Sequence, residues 1–508
     1  MVLALAAAAD DPWLNDIDYD DLVQRLGGFA NTPTGASIGA AQVEVFDGGG
    51  YGPNPADPEL VGMTYFPMSG APGNSQHATA VAYYYYGKSV SCAPGVTQAW
   101  LYEAENWILG AYLRVTFGSS VPPLVPPPLV RLFNNSWVAS AGTFNNESLR
   151  RADFAIRRDN TLHFNGMNNG GGQYLPLMAA SFNGVSVGRA DGVHVFGPTP
   201  AGTDGPGRQK PDMVAPLNFT SFATPLVSGA ATLLLDAVNI DPVLSINPNA
   251  DHSAVIKALL MGGTWHREGW SNNPVLSGPN RGVTSTPLDP IYGTDVLNIN
   301  RSHLMLTAGE FDGQESLAVA PEIPEAGWDL VSIGSGGSRW YRFTLNAPAE
   351  HLSVLATWHR LVSNNFASFS LANVDLRLWR VDTSGTPQSL VGDAGLPYFD
   401  SGNVVSQSVI DNVEHLYVRN LAAGSYAIEV DRIDTALLGV DVAVAWIRPE
   451  DSDPPPLFGD LDGDGVVGGA DLGILLIYFG TSEPLADLNE DGIVDSADLG
   501  LLLVAWTP

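Results

Sequence analysis

Thr220-Ser221-Phe222-Ala223-Thr224-Pro225-Leu226-Val227-Ser228-Gly229-Ala230-Ala231 places a serine at the mouth of an apolar helix. Leu226, Val227, Ala230, Leu233 and Leu234 leave that helix no polar face, so it is predicted to be buried. Pro225 reads as a first-turn proline, which gives up an N–H that has no helical partner anyway. A hydroxyl at a helix N-terminus faces free backbone N–H groups and the positive end of the dipole. Such a place suits a nucleophile beside a developing oxyanion. The competing reading is a capped core helix, because Ser is also a preferred N-cap residue.

Outward from this helix, residues 35 to 310 alternate strand-like and helix-like runs. Val43-Glu44-Val45-Phe46, Val130-Arg131-Leu132-Phe133 and Gly184-Val185-Ser186-Val187 read as strands, and Ala78 to Tyr86 and Gln98 to Leu113 as helices. That alternation predicts a parallel α/β sheet, with ligand sites beyond the carboxyl ends of its strands, where Asp47 and Asn134 fall. From 311 to 450 period-two alternation takes over, in Trp340-Tyr341-Arg342-Phe343, Leu352-Ser353-Val354-Leu355, Asp375 to Trp379 and Tyr426 to Val430. An antiparallel, jelly-roll-like sandwich follows from it. Residues 451–457 are a Pro-rich linker.

At 508 residues the chain exceeds what one core supports, and several domains are expected. The net charge of −31 argues against nucleic acid, because no basic patch is there to neutralise phosphates. One cysteine, Cys92, excludes a disulfide framework within the chain. Met1 to Ala9, an apolar run of small residues without a positive flank, predicts an exported protein with a truncated signal in residues 1–34. The expected location is secreted or cell-surface. No segment reaches the roughly 18 consecutive apolar residues of a membrane span.

Ser221 needs an acid–base partner. His77 stands at the start of a small-residue helix, Gln76-His77-Ala78-Thr79-Ala80-Val81-Ala82, and Asp47 follows a buried strand. Asp, His, Ser is one of the chain orders in which the serine triad occurs. Taken singly, His77 also reads as a structural histidine, and Asp47 beside three glycines as a turn residue.

Six blocks in order resemble the subtilisin-like serine peptidases (subtilases, peptidase family S8). Val45-Phe46-Asp47-Gly48-Gly49 resembles the aspartate motif, and His77 to Ala82 the histidine motif. Cys92-Ala93-Pro94-Gly95-Val96 resembles the turn after it, and Asn135-Ser136-Trp137 the strand lining the substrate cleft. Gly166-Met167-Asn168-Asn169-Gly170 is similar to the oxyanion-asparagine motif, and Lys210 to Pro216 to the block before the serine. The resemblance implies Ser221 as nucleophile, His77 as general base, Asp47 as the residue holding the imidazole, and Asn168 as oxyanion donor. Asn169, its neighbour, leaves the donor's register open by one. The chain departs from the family at Ala78, Ala80 and Tyr83, and at Phe219-Thr220 where Gly-Thr is usual. Subtilases are also commonly made with a folding prodomain, and the residues before 35 are too few for one.

The sandwich, 311–450, resembles the C-terminal domain attached to some bacterial subtilases, whose acidic turns make Asp375 and Asp411 calcium candidates or, equally, turn residues. Residues 458–508 hold an internal repeat, in a segment that from Asp451 carries 12 acids and no Lys or Arg. In a 12-residue calcium loop, ligands fall at positions 1, 3, 5, 7 and 12, with Gly at 6. The first loop then offers Asp460, Asp462, Asp464, the Val466 carbonyl and Asp471. The second offers Asp487, Asn489, Asp491, the Ile493 carbonyl and Asp498. An apolar helix follows each loop (Leu472 to Phe479, Leu499 to Trp506) and none precedes it. This tail resembles a type I dockerin, which implies docking to a cohesin. Surface retention and assembly are as consistent with such a tail as polysaccharide breakdown.

The chain is thus expected to be a multidomain, secreted serine endopeptidase: an α/β peptidase domain, an all-β sandwich and a small α dockerin with two calcium (Ca2+) loops. The alternative is an inactive pseudopeptidase kept as a binding or scaffold module, which Phe219 and Ala78 motivate.

Overall fold

The computed structural model describes residues 12–118, 120–435, 439–448, 459, 461, 467–483, 485–489 and 492–506. Seven parallel strands form the sheet of the N-terminal half: β1 (Gly39–Glu44), β2 (Thr64–Pro67), β3 (Gln98–Glu103), β4 (Val130–Asn135), β5 (Leu162–Gly166), β6 (Val185–Arg189) and β7 (Met213–Ala215). Their order is β2-β3-β1-β4-β5-β6-β7. The main helices of this half are α1 (Gln76–Tyr86), α2 (Asn145–Asp159), α3 (Thr220–Ile240), α4 (Ser253–Gly262) and α5 (Ile299–Ala308).

Three elements differ from expectation. Gln98 to Glu103 is a strand, not the start of a helix; only Ala104 to Ala111 is helical. β3 lies between β2 and β1, and Ala99 to Tyr102 are buried on both faces, so the period-two signal that would announce a strand is lost. Strand β1 ends at Glu44, and Val45 and Phe46 are exposed beyond it. Pro225 is the sixth residue of α3, past its first turn, where it denies the Ser221 carbonyl its helical donor.

Helix α3 is buried over nearly its whole length, as expected, yet it is not apolar all round. Thr220, Thr224, Ser228, Thr232 and Asp236 make a buried stripe at four-residue spacing. The Thr224, Ser228 and Thr232 hydroxyls each donate to the carbonyl four residues back, at 2.7, 3.1 and 2.8 Å. Asp236 accepts from the Thr34, Gly35 and Ser37 backbone N–H groups and the Ser37 hydroxyl. Every buried polar group in the stripe is thus satisfied inside the protein, as burial requires. By length and composition α3 could cross a membrane, but 94% of its most apolar window is packed inside the protein.

Two antiparallel-rich sheets make the sandwich. One orders Ala326–Ile333, Val440–Ile447, Ala349–Trp358, Val413–Leu421 and Ser401–Gly402; the other runs from Val283–Thr284 through Val405–Ser406, Val374–Val381 and Gly424–Arg432 to Ser338–Leu345. Val283–Thr284, from within 35–310, is therefore an edge strand of the sandwich. Trp328, Leu355, Ala443, Ala445 and Ile447 share one core cluster with α3 and α4, so the two halves bury a continuous apolar interface. Charge crosses it as well: Arg360 pairs with Asp153, and its Nη1 lies 2.9 Å from Asp204.

In the tail, α6 (Gly469–Tyr478) and α7 (Ser496–Ala505) pack through Val467, Leu475, Val494 and Leu502, which occupy matching places in the two repeats.

Candidate active site

Strand β1 and the N-terminus of α1 bring Glu44 and His77 together, and the loop after β5 meets the start of α3, whose Phe222 ring lies beside His77. Glu44 is the last residue of β1 and is 1% exposed. His77 is the second residue of α1, a helix capped by Ser75, whose hydroxyl accepts from the Ala78 N–H. The His77 Nδ1 and Glu44 Oε2 lie 2.8 Å apart. Burial pushes the Glu44 carboxyl up; the His77 hydrogen bond and charge, then Gln42, oppose it. The Glu44 hydrogen bond holds His77 above its ordinary value, against desolvation and with help from the Glu44 and Asp47 charges.

Ser221 is the second residue of α3 and is half-buried. The ring of its neighbour Phe222 lies 6.2 Å from the His77 ring. Among the described residues no hydrogen bond joins Ser221 to His77; such contacts are commonly long before substrate binds. Phe219 does not strain the backbone before Ser221: it is extended (φ −140°), its ring stacks edge-on with Phe222 at 5.4 Å, and the left-handed turn is taken at Leu217 (φ 89°).

Asp47 does not hold His77. It lies three residues past the strand end, exposed, in a tight turn closed by hydrogen bonds between its own and the Gly50 backbone. Its nearby charge only adds to the pull on His77. The carboxylate that reaches the imidazole must leave a strand on its inner face, and Glu44 does. An acidic residue in a strand otherwise free of charge was the sequence signal for it.

The neighbouring asparagines Asn168 and Asn169 are bound differently. The Asn168 amide is spent locally: its Nδ2 donates to the Gln173 carbonyl at 3.0 Å and its Oδ1 accepts from the Leu175 N–H at 3.2 Å. Asn169 instead meets the start of α3, where its Oδ1 accepts from the Thr220 N–H at 2.8 Å and hydroxyl at 3.1 Å. The Asn169 side chain is thus bonded to Thr220, the residue before Ser221. Asn134 and Asn135 are buried and bonded to Ser136, Ser228 and Asn165.

Of the tail ligands, Asp460, Asp462, Asp464, Val466 and Asp491 lie outside the described residues. Asp471 and Asp498, at position 12 of each loop, fold back to accept backbone N–H groups from Leu461 and Gly468, and from Asn489 and Asp495. Asp487 Oδ2 accepts from the Gly492 N–H at 2.8 Å, while its Oδ1 is buried without a hydrogen bond. An orphaned carboxylate oxygen at position 1 fits a cation ligand. In the sandwich, Asp375 pairs with Arg377 and Asp411 accepts from Ser408. Among the described residues, no three His, Cys, Asp or Glu side chains form a ready metal cluster.

No protein-family model and no curated protein matches this chain. Among solved structures, the prenylagaramide maturation protease PagA aligns with a TM-score of 0.36 and 18% identity, over 56% of this chain and 98% of that one.

If Glu44 orients His77, then Glu44→Gln lowers the rate of any chemistry at Ser221 by about 10³–10⁴-fold. It also moves the acid limb of the pH profile down, because the imidazolium loses its carboxylate. Asp47→Asn costs less than about tenfold by the same reasoning on an exposed, unbonded charge. Rate profiles of both variants check this; the reverse ranking contradicts it.

Proposed function

We propose that this protein is a serine endopeptidase of subtilisin type whose triad is Glu44, His77 and Ser221. The observation that carries the reading is the Glu44–His77 hydrogen bond, with the Phe222 ring beside His77 and Asn169 bonded to Thr220, the two residues that flank Ser221. A neutral serine hydroxyl is a poor nucleophile until a base takes its proton. In the proposed reaction Ser221 Oγ attacks the scissile carbonyl as His77 Nε2 accepts that proton, and His77 then returns it to the leaving amine. Glu44 fixes the tautomer and balances the imidazolium. The Ser221 N–H and Asn169 Nδ2 receive the oxyanion, where the start of α3 adds its positive end. Water repeats the sequence on the acyl-enzyme.

In the tail, the two loops are proposed to bind calcium through the residues named above, the orphaned Asp487 oxygen and the paired position-12 aspartates being the support. Calcium there would neutralise the packed carboxylates and fix each loop against its helix. The proposed partner is a cohesin. Leu476, Ile477 and Phe479 of one repeat and Leu503, Val504 and Trp506 of the other expose the same apolar face twice, which supports docking. Export to a secreted or surface location is part of the proposal and rests on the N-terminal residues alone.

A fluorophosphonate probe should label Ser221 in wild type and not in His77→Ala. Asn169→Ala should slow labelling by about 10²–10³-fold, and Asn168→Ala far less. No labelling of the folded wild type would favour the non-catalytic reading. For the tail, chelation by EGTA should expose residues 459–506 to proteolysis and release a bound cohesin, with residues 35–310 left intact. Equal protection with and without the chelator contradicts calcium binding.

A further inference from the structure

The Glu44–His77 pair is the outer end of a longer buried chain. Gln42 sits two residues before Glu44 on β1, so both side chains leave the same face of the strand. Its Nε2 donates to Glu44 Oε1 at 3.2 Å and to the Ala78 carbonyl at 2.8 Å, and its Oε1 accepts from the Tyr86 hydroxyl at 2.6 Å. Gln42 and Tyr86 are each 1% exposed. The amide can point only one way. Turned over, its oxygen would face two acceptors and its NH₂ would replace the group that accepts from Tyr86.

The arrangement ties α1 to β1 at both ends, through His77 at its start and Tyr86 at its last turn. It also supplies what a buried glutamate lacks. His77 serves one carboxylate oxygen; without Gln42 the other would be charged, dry and unbonded, a costly state. A glutamate side chain has one more rotor than an aspartate, so a second fixed contact is also what holds its carboxylate in one orientation.

We propose that Gln42 and Tyr86 are positioning residues that hold the Glu44 carboxylate in place against His77, a role that rests on the peptidase reading above. The groups facing the network are Glu44 on β1, His77, Tyr85 and Tyr86 on α1, Tyr65 on β2 and, from outside, Asp47. Burial pushes Tyr86 well above its ordinary value, so it stays a donor across the working range. Gln42 does not titrate and anchors the pair at every pH.

The test is the pH dependence of Ser221 phosphonylation in the full chain, together with ¹⁵N-histidine NMR of His77. In Gln42→Leu the carboxylate loses its second donor, and the pair's proton passes more readily to Glu44. The acid limb of labelling then moves up by about one pH unit. Tyr86→Phe moves it the same way by less, and carries the test if Gln42→Leu does not fold. A role in packing alone would lower the rate equally at all pH values; an unmoved midpoint in the folded variants overturns the proposal. Should the wild type take no probe at any pH, the peptidase reading falls and NMR alone decides. The imidazolium signal gained in the pair's first protonation step must then be smaller in Gln42→Leu, and an identical titration overturns the inference.

Discussion

A helix buried along nearly all of its 21 residues has little water to satisfy it, and α3 shows what that demands. Thr224, Ser228 and Thr232 bond back to its own carbonyls and Thr220 to that of Met167, Ser228 also donates to Asn134 on β4 at 3.0 Å, and Asp236 collects the backbone N–H groups of Thr34, Gly35 and Ser37. The free N–H groups at its start need acceptors too, and the Asn169 side chain, arriving from β5, provides one. With both ends and one flank pinned in this way, Ser221 has a fixed place at the start of α3.

The same requirement shapes the acid–base pair. Glu44 is buried, so its charge is tolerable only with His77 on one oxygen and Gln42 on the other. The Gly-rich turn beyond it carries a carboxylate that water already solvates. A solvated carboxylate balances an imidazolium weakly, because screening removes most of the interaction. Between Asp47 and Glu44, burial therefore decides which one tunes His77.

Much of this was legible in the sequence. Ser221 was singled out by its place at the mouth of an apolar helix, and His77 by the small-residue helix it starts. The parallel sheet and the sandwich followed from the two hydrophobic periods. Glu44 was hidden because a glycine-flanked Asp47 imitates the expected motif, while a glutamate inside a strand reads as one alternating position among others. The choice between Asn168 and Asn169 depends on which side chain leaves the loop after β5 toward α3, and adjacent residues give no periodic signal for that. β3 was hidden for the opposite reason: buried on both faces, it shows no period at all. Nor does sequence reveal that Arg360 of the sandwich reaches Asp153 of α2, because their meeting depends on how the two halves dock.

The account stands on Glu44, His77, Ser221 and Asn169 working as one unit. A crystal structure of the protein phosphonylated at Ser221 tests that most directly. It should show the phosphonyl oxygen within hydrogen-bond distance of the Ser221 N–H and Asn169 Nδ2, with His77 Nδ1 held by Glu44. An adduct whose oxygen is bound by Asn168, or whose His77 has turned to Asp47, would contradict it.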